Sequence, residues 1–258
     1  MIDADNLIKS ISADLKRHAD PDFRALVRDH FNMNVDDFWG VRTPAFHKVA
    51  HKHFQQIKPL DIDDRLKLCT HLLETGIYEH KITAFRWGHL CRKEYLDKHF
   101  RVVADWLRKY VNDWSDCDDL SIHVLGEYLL RYPHRAKEVM PWVASRNRWM
   151  RRGAAVAIIL PVRKGQHLDL AFQVSDLLFN DRDDLVQKGY GWLLKEASKL
   201  HPQEVFDYAW KHKDTMPRTS LRYAIEKLPL SLREQVMQKE TRARNRPTLR
   251  AADPHSAR

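Results

Sequence analysis

Glycine is scarce in this chain, with eight among 258 residues. So few glycines argue against a β fold rich in tight turns. Neither a G-x-x-x-x-G-K-[ST] phosphate loop nor a G-x-G-x-x-G dinucleotide fingerprint occurs. The sequence therefore disfavours the usual kinds of nucleotide-binding enzyme.

Cysteine and long apolar runs are scarce as well. The three cysteines are Cys69, Cys91 and Cys117, an odd number with no C-x-x-C, which predicts a reduced, cytoplasmic compartment. The N-terminal MIDADNLIKS lacks the apolar stretch of a signal peptide. No run of about 18 apolar residues occurs, so no membrane span is expected.

Metal ligands are not clustered in the sequence. His47-x-x-x-His51-x-His53 has the i,i+4 spacing of paired ligands, but no glutamate stands in an H-E-x-x-H frame and no further ligand cluster is near. Exposed histidines on a basic helix are the favoured interpretation. We expect no metal and no cofactor.

Positive charge is in excess, with a formal net charge of +9. Residues 241–258 hold five arginines and one aspartate, a net +4, which leaves +5 for the rest (9 − 4). A basic body favours an anionic partner, with simple solubility as the alternative. The arginine-rich segment 241–258 is nearly aperiodic and predicts a disordered tail, following a single domain over residues 1–240.

Apolar residues recur at helical spacing almost throughout, for example Ile62, Leu66, Cys69 and Leu73 on one stripe. Convincing period-2 strands are absent. Prolines and asparagines interrupt the pattern often enough to predict about a dozen or more helices. Paired helices recurring every roughly 35–45 residues predict an all-α fold, an α-α superhelix of HEAT-like or armadillo-like repeats. A compact irregular helical bundle is the alternative.

The segment Trp114-Ser-Asp-Cys-Asp118 places an aromatic ring and a carboxylate four residues apart, on one face of a helix. Phosphate repels a carboxylate, so an acid that faces an anionic polymer makes sense where the chemistry builds positive charge. Cleavage of the bond between a base and its sugar does so. The alternative is a solvated acidic first turn, stabilised by the helix dipole.

Two further segments suit phosphate. In Trp39-Gly-Val-Arg-Thr-Pro44, Thr43 can cap a helix with Pro44 in its first turn, where free N–H groups can bind an anion. In Arg148-Trp-Met-Arg-Arg-Gly153, three arginines precede small residues suited to close helix packing. An ordinary helix start and a basic helix end are the alternatives.

A fourth segment, from Val186 to Glu196, contains two glycines inside a helical pattern. Gly189 and Gly191 each cost about 1 kcal/mol relative to alanine, which predicts the close approach of another helix or of a ligand backbone. Trp192 follows them at helical spacing, and a core position is its usual alternative.

In this order and spacing, the four segments resemble the DNA alkylation repair family, the HEAT-like-repeat alkylpurine DNA glycosylases of the AlkD type. The resemblance runs from about residue 20 to residue 228 and ends with Pro-Arg-x-Ser-x-Arg222-x-Ala-Ile. It implies a C-shaped superhelix whose basic concave face holds duplex DNA. It also implies a damaged base that stays stacked, whereas most glycosylases flip it out.

The resemblance implies roles for single residues. The catalytic aspartate falls on Asp118, the sugar-contacting tryptophans on Trp114 and Trp192, and the phosphate-contacting arginine on Arg152. Further DNA contacts are expected from Lys188, Arg222 and Thr43. Ser115 stands where the family commonly has an acid, and Asp116 follows it, so a one-residue ambiguity over the carboxylate stays open. Gly153 and His47 also depart from the family pattern.

The implied activity is that of a monofunctional glycosylase, a hydrolase that acts on the N-glycosidic bond of positively charged N3- or N7-alkylated purines in double-stranded DNA. Asp118 would stabilise the oxocarbenium-like sugar and orient a water. A monomer is expected. A noncatalytic helical-repeat protein that binds damaged or branched DNA is the alternative, and a protein-binding scaffold is a third hypothesis.

Overall fold

The computed structural model describes residues 3–31 and 35–238, and these residues are almost entirely helical. The only extended pairing among them is an isolated antiparallel bridge between Ala19 and Val41. The predicted all-α class is confirmed, whereas the tail predicted at 241–258 lies outside the described residues. The α-helices are α1 (Ala4–Lys16), α2 (Pro21–Phe31), α3 (Thr43–Ile57), α4 (Ile62–Glu74), α5 (Tyr78–Leu90), α6 (Phe100–Tyr110), α7 (Trp114–Leu120), α8 (Glu127–Arg131), α9 (Arg148–Val156), α10 (Ile159–Arg163), α11 (Leu168–Leu178), α12 (Asp184–Ala197), α13 (Pro202–His212), α14 (Arg218–Ala224) and α15 (Leu230–Met237).

Three further helical segments complete the described fold. Two are 3₁₀ helices, over Asp97–His99 and Pro133–Ala144, and one is a π-helix over Ser121–Gly126 that continues α7. A core of buried apolar side chains extends from Leu7 to Val236. Within the described ranges, no helix is long and apolar enough to cross a membrane.

Side-chain caps fix where the helices around the candidate site begin. Asp113 accepts a hydrogen bond from the backbone N–H of Ser115 at the start of α7. At the starts of α9 and α12, Asn147 accepts from the N–H of Trp149 and Asp183 accepts from the N–H of Leu185. Each such cap stabilises a helix by about 1 kcal/mol. The three helices that carry Asp118, Arg152 and Trp192 therefore have locally encoded starting points.

The start of α3 differs from the expectation. Thr43 is the first residue of the helix, and the capping position is Arg42, whose side chain makes no capping hydrogen bond. The prediction that Thr43 caps this helix is therefore wrong, although Pro44 does occupy the first turn. The preceding turn is held from outside, by the carboxylate of Glu79 on α5.

Hydrogen bonds between successive helical units connect residues at a recurring separation. Such a period is what stacked helix pairs produce, and it agrees with the recurrence expected from the sequence and with an α-α superhelix. The separations are 39 residues for Gly40 and Glu79, 35 for Lys81 and Asp116, 34 for Asp118 and Arg152, and 33 for Gln187 and Ser220.

Three helical glycines permit close packing around the candidate site. A Cβ at Gly153 would lie 2.5 Å from Cδ2 of Leu107 on α6, and one at Gly189 would lie 3.2 Å from Cγ of Arg152. A Cβ at Gly191 would lie 2.8 Å from Cβ of Tyr223 on α14. The expected close approach of a neighbouring helix is thus present at both glycines of α12.

The glycines also predict an order of stability. Gly191→Ala should lower the melting temperature more than Gly153→Ala, because its Cβ also meets the backbone of Ser220, with the carbonyl oxygen at 3.0 Å. At Gly153 the obstacle is the flexible end of a leucine side chain. Overpacking costs about 1–3 kcal/mol, partly offset by the better helix propensity of alanine. Thermal unfolding followed by circular dichroism measures the order, and equal or reversed melting temperatures would contradict it.

Candidate functional site

The start of α7 presents an exposed tryptophan beside an apolar pocket. Trp114 is 37% exposed and forms part of the wall of a cavity of about 180 Å³. Thr43, at the start of α3, lies on the same wall, so the structure brings these two expected site residues together. The remaining lining is mainly apolar and comes from α2, α3, α5 and the segment before α3.

One turn further along α7, Asp118 forms a bidentate ion pair with Arg152 of α9. Nε and Nη2 of the guanidinium each donate to a different carboxylate oxygen, both at 2.8 Å. Nη1 of Arg152 donates to the carbonyl oxygen of Leu185 on α12. The arginine is 5% exposed, and 17% of the Asp118 side chain is exposed. One guanidinium therefore joins α7, α9 and α12.

Burial and pairing act against each other on both members of this pair. Burial raises the pKa of Asp118, while the hydrogen bonds and charge of Arg152 lower it, and the pKa remains above its ordinary value. Burial lowers the pKa of Arg152, but the contacts with Asp118 raise it beyond its ordinary value. Because an arginine keeps its charge at any physiological pH, the carboxylate has a permanent cationic partner.

The expected role of Arg152 changes with this geometry. Its guanidinium is enclosed and pairs with Asp118, whereas a freely presented phosphate ligand was expected. Three of its five N–H groups donate within the protein, which leaves two for another acceptor. The sequence could not reveal this, because α7 and α9 meet only in the folded chain.

Asp116 has a different environment from Asp118. It is 1% exposed, and its Oδ2 accepts a hydrogen bond from Nζ of Lys81 at 2.5 Å. Lys81 also donates to Oδ1 of Asn112 at 2.6 Å. Burial raises the pKa of Asp116 to about 6, with Lys81 acting in the opposite direction. Asp116 is thus enclosed between α5 and α7, and Asp118 is the more accessible of the two carboxylates.

The turn before α3 is organised by one buried acid. The carboxylate of Glu79, at the start of α5, accepts hydrogen bonds from the backbone N–H groups of Trp39, Gly40 and Val41, at 3.0 to 3.2 Å. Burial raises the pKa of Glu79, and these N–H donors lower it. Gly40 has φ +87°, and a Cβ there would lie 2.5 Å from the carbonyl oxygen of Asp20. Glu79 and Gly40 together fix the approach to Thr43.

Trp192 is half-buried on α12. Its Nε1 donates to Oε1 of Glu196 at 3.2 Å, and its ring packs against the core. Gly189, three residues earlier, contacts Arg152. The helix of Trp192 is therefore in contact with the Asp118–Arg152 pair, while the hydrogen-bond partner of the indole is Glu196.

The other expected DNA contacts lie further along the chain. Lys188 pairs with Asp184 of its own helix at 2.6 Å, on the surface. Arg222 is exposed on α14 and lines an open groove with Tyr223 and Glu226. Neither residue lines the pocket beside Trp114.

The histidines weighed as metal ligands have other partners. His53 is buried against Asp14, at 2.9 Å, and His51 lies 3.1 Å from the Gln55 amide. Residues 3–31 and 35–238 contain no group of three side chains arranged to hold a metal ion.

Sequence reasoning missed Glu79 and Lys81. Both lie on α5, where polar residues recur among apolar ones in a way that predicts solvent exposure, yet they are 0% and 5% exposed. Their partners are 35 to 40 residues away in the chain. No local signal separates such a buried acid or lysine from a surface one.

Comparisons with known proteins agree on one family. A family model described as DNA alkylation repair enzyme matches residues 11–228. A solved structure described as a "Predicted DNA alkylation repair enzyme from Enterococcus faecalis" superposes with a TM-score of 0.70, at 14% identity, over 83% of this chain and 98% of that chain. At that identity the likeness shows the fold alone. No curated protein gives a significant sequence match.

The Lys81–Asp116 pair predicts a strong, pH-dependent stability effect. Lys81→Met should lower the free energy of unfolding by about 3–5 kcal/mol at pH 8, because it leaves a buried carboxylate unpaired. The loss should shrink as the pH falls from 8 towards 6, because Lys81 lowers the pKa of Asp116 and its removal lets the buried carboxyl take up a proton at a higher pH. Chemical denaturation measures both values. The double variant Lys81→Met/Asp116→Leu is the control and should recover most of the loss; a double variant as unstable as the single one would contradict this explanation.

The acceptor role of Glu79 predicts a smaller effect. Glu79→Gln should destabilise the protein by about 1–3 kcal/mol, because an amide NH₂ would face backbone donors that now share a carboxylate. Glu234→Gln, on an exposed site of α15, is the matched control and should change stability by less than about 0.5 kcal/mol. Equal effects of the two substitutions, in the same denaturation assay, would show that the turn does not depend on Glu79.

Proposed function

The chain belongs to the DNA alkylation repair enzyme family, and from this premise we propose that it hydrolyses the N-glycosidic bond of positively charged N3- or N7-alkylated purines in duplex DNA. Membership supports a role as an enzyme in the repair of alkylated DNA, with DNA as its partner. The glycosylase activity, the substrate and the residue roles below are our proposal.

The observation that carries the proposal is the buried Asp118–Arg152 pair beside the exposed ring of Trp114. Two of the roughly four lone-pair positions of the carboxylate accept from Arg152, so others remain for a water or a sugar. A carboxylate paired with a permanent cation, in a partly desolvated place, is suited to stabilise a developing positive charge. Asp118 would not bind the phosphate backbone of DNA favourably, because both groups are anionic.

The chemistry follows from the charge of the substrate. Alkylation at N3 or N7 makes the purine a cation and therefore a good leaving group. As its bond to C1′ lengthens, the bonding electron pair moves to the base, which leaves neutral, and positive charge appears on the deoxyribose. Asp118 stabilises that charge and orients a water, which adds at C1′ and releases a proton. The products are a free base and an abasic sugar.

The aromatic and basic residues supply binding in this scheme. Trp114 and Trp192 pack against the deoxyribose and attract the cationic sugar and base through their π faces. The two remaining N–H groups of Arg152, together with Lys188, Arg222 and the start of α3 at Thr43, contact phosphates. The working unit is residues 1–240 as a monomer, without a metal or cofactor.

One observation favours a second candidate, a noncatalytic protein that binds damaged or branched DNA. Arg152 neutralises Asp118 completely, as it would if the pair only joined α7 to α9. The two candidates differ in whether bases are released, and the same variant tests both.

Asp118→Asn should reduce the release of methylated purines from duplex DNA by more than tenfold, equivalent to about 1.4 kcal/mol of transition-state stabilisation. Binding of undamaged duplex should persist or improve, because the substitution removes a negative charge. Base release is measured by chromatography and binding by fluorescence anisotropy, with melting curves to establish folding. Asp105→Asn, an exposed carboxylate on α6, is the matched control.

Three outcomes would count against the proposal. Absence of base release by the folded wild-type protein, with DNA binding retained, would favour the noncatalytic candidate. Loss of less than tenfold in Asp118→Asn would remove the aspartate from the chemistry. A large loss in folded Asp116→Asn alone would move the catalytic role to Asp116.

A further inference from the structure

A second polar cleft opens where α3, α5, α7 and the π-helix meet, and the proposed reaction makes no use of it. Its volume is about 300 Å³. Phe46, Ile82 and Phe85 form its apolar part. Its polar part consists of one arginine, three histidines and one aspartate, namely Arg86, His47, His89, His123 and Asp119. Asp119 directly follows Asp118 on α7, so the two sites lie on neighbouring faces of one helix.

Arg86 differs from the more deeply buried arginines in its contacts. It is half-buried on α5, and among the described residues it makes no hydrogen bond or ion pair. The more deeply buried arginines are paired, Arg65 with Glu94 and Arg152 with Asp118. A guanidinium carries five N–H donors in a fixed planar array that matches the oxygens of a phosphate. Arg86 is thus a partly desolvated anion ligand whose donors are available.

A hydrogen bond to a backbone carbonyl fixes which ring nitrogen of His89 carries the proton. Its Nδ1 lies 2.9 Å from the carbonyl oxygen of His123, and because a carbonyl only accepts, Nδ1 carries the proton. Nε2 is then the nitrogen left for other contacts. In the neutral ring it is an acceptor and cannot bind an anion, whereas protonation turns it into a donor. The ring centroids of His89 and His123 lie 5.9 Å apart.

Burial, helped by neighbouring positive charges, lowers the pKa of each histidine and keeps the rings neutral at pH 7. Burial and Arg86 lower the pKa of His47. Burial also lowers the pKa of His89, helped by Arg92 and Arg86 and opposed by the His123 carbonyl and Glu127. For His123, burial, Arg86 and Arg163 lower the pKa, while Glu127 raises it.

Asp119 opposes anion binding at neutral pH and ceases to do so in acid. Its side chain is 40% exposed and lies 4.0 Å from Nε2 of His123. Desolvation in the cleft raises its pKa to about 6, with Arg86 acting against the rise and Asp118 adding to it. Below pH 6 the cleft therefore loses a negative charge, and its histidines gain positive charge as the pH falls through their lowered pKa values, while Arg86 stays charged throughout.

We propose that this cleft binds a phosphate group, the phosphodiester of a DNA backbone, through Arg86 at all pH values and through its histidines in acid. The inference rests on DNA being the partner in the proposed function. A free phosphate ion shares the same chemistry, so the experiment must separate the two sources. A phosphate held here would anchor the strand beside Asp118 without contacting the reacting sugar.

The first arm measures binding of an undamaged duplex by fluorescence anisotropy over a range of salt concentrations. Arg86→Gln should weaken binding roughly fivefold on any sequence and flatten the slope of log K against log salt by about one. Arg101→Gln is the matched control, an exposed arginine on α6 without a hydrogen bond among the described residues. If Arg86→Gln binds as Arg101→Gln does, the proposal is wrong.

The second arm tests the histidines by comparing pH 5.5 with pH 7.5. Wild-type protein should bind the duplex more tightly at pH 5.5, and His47→Gln/His89→Gln/His123→Gln should bind like the wild type at pH 7.5 but lose part of that gain, the rest being due to the protonation of Asp119. Melting curves establish that the variants are folded. Should the triple variant keep the full gain in acid, the histidines take no part.

The third arm separates the ligands. Inorganic phosphate should shift the NMR resonances of the His89 ring only at millimolar concentration, and the duplex should shift them at far lower concentration. Equal affinity would make this a site for free phosphate and overturn the assignment to DNA. All three arms use undamaged DNA, so their results do not depend on base release. A protein that releases no base can still show the effect of Arg86→Gln.

Discussion

The interaction on which the candidate site depends is the ion pair between Asp118 and Arg152. It joins α7 to α9 through two hydrogen bonds of 2.8 Å, and through the Leu185 carbonyl it reaches α12. Gly189 allows α12 to lie close against the same arginine. Removing either charge would leave the other buried without a partner, at a cost of about 3–5 kcal/mol. The same pair therefore connects the three helices and carries the carboxylate of the proposed reaction.

Three acids on α7 show how one short helix separates carboxylates by environment. Asp116 faces α5 and is enclosed with Lys81, Asp118 faces α9 and pairs with Arg152, and Asp119 opens into the histidine cleft. Successive side chains on a helix point about 100° apart, so neighbouring residues reach different partners. Of the three, only Asp118 combines partial exposure with a permanently charged, bidentate partner.

The helices were predictable because their signals are local. The stripe Ile62, Leu66, Cys69 and Leu73 lies on α4 and is buried as the spacing predicts. The glycines of α12 correctly indicated close packing. The motif order also identified the family, which the matched family model confirms. Periodicity, caps and motifs operate within a few residues, and a sequence displays them directly.

Long-range partners were not predictable in the same way. Thr43 was expected to cap α3, but the turn before that helix is held by Glu79, a residue of α5. Arg152 was expected to meet phosphate, but its pairing with Asp118, which leaves only two N–H groups for a phosphate, was not foreseen. Each of these contacts joins residues 34 to 40 positions apart. Their partners are set by the stacking of helices, which no local pattern specifies.

The central claim is that Asp118 acts on positive charge developing during base release. The most direct measurement compares, under single-turnover conditions, the release of 7-methylguanine and of a neutral base such as uracil from the same position in one duplex. Each rate is divided by its uncatalysed rate. The account predicts a large acceleration for the cationic base and little for the neutral one. Equal accelerations would contradict it, because a neutral base leaves as an anion, and the proposed site has a carboxylate and no acid to protonate that base.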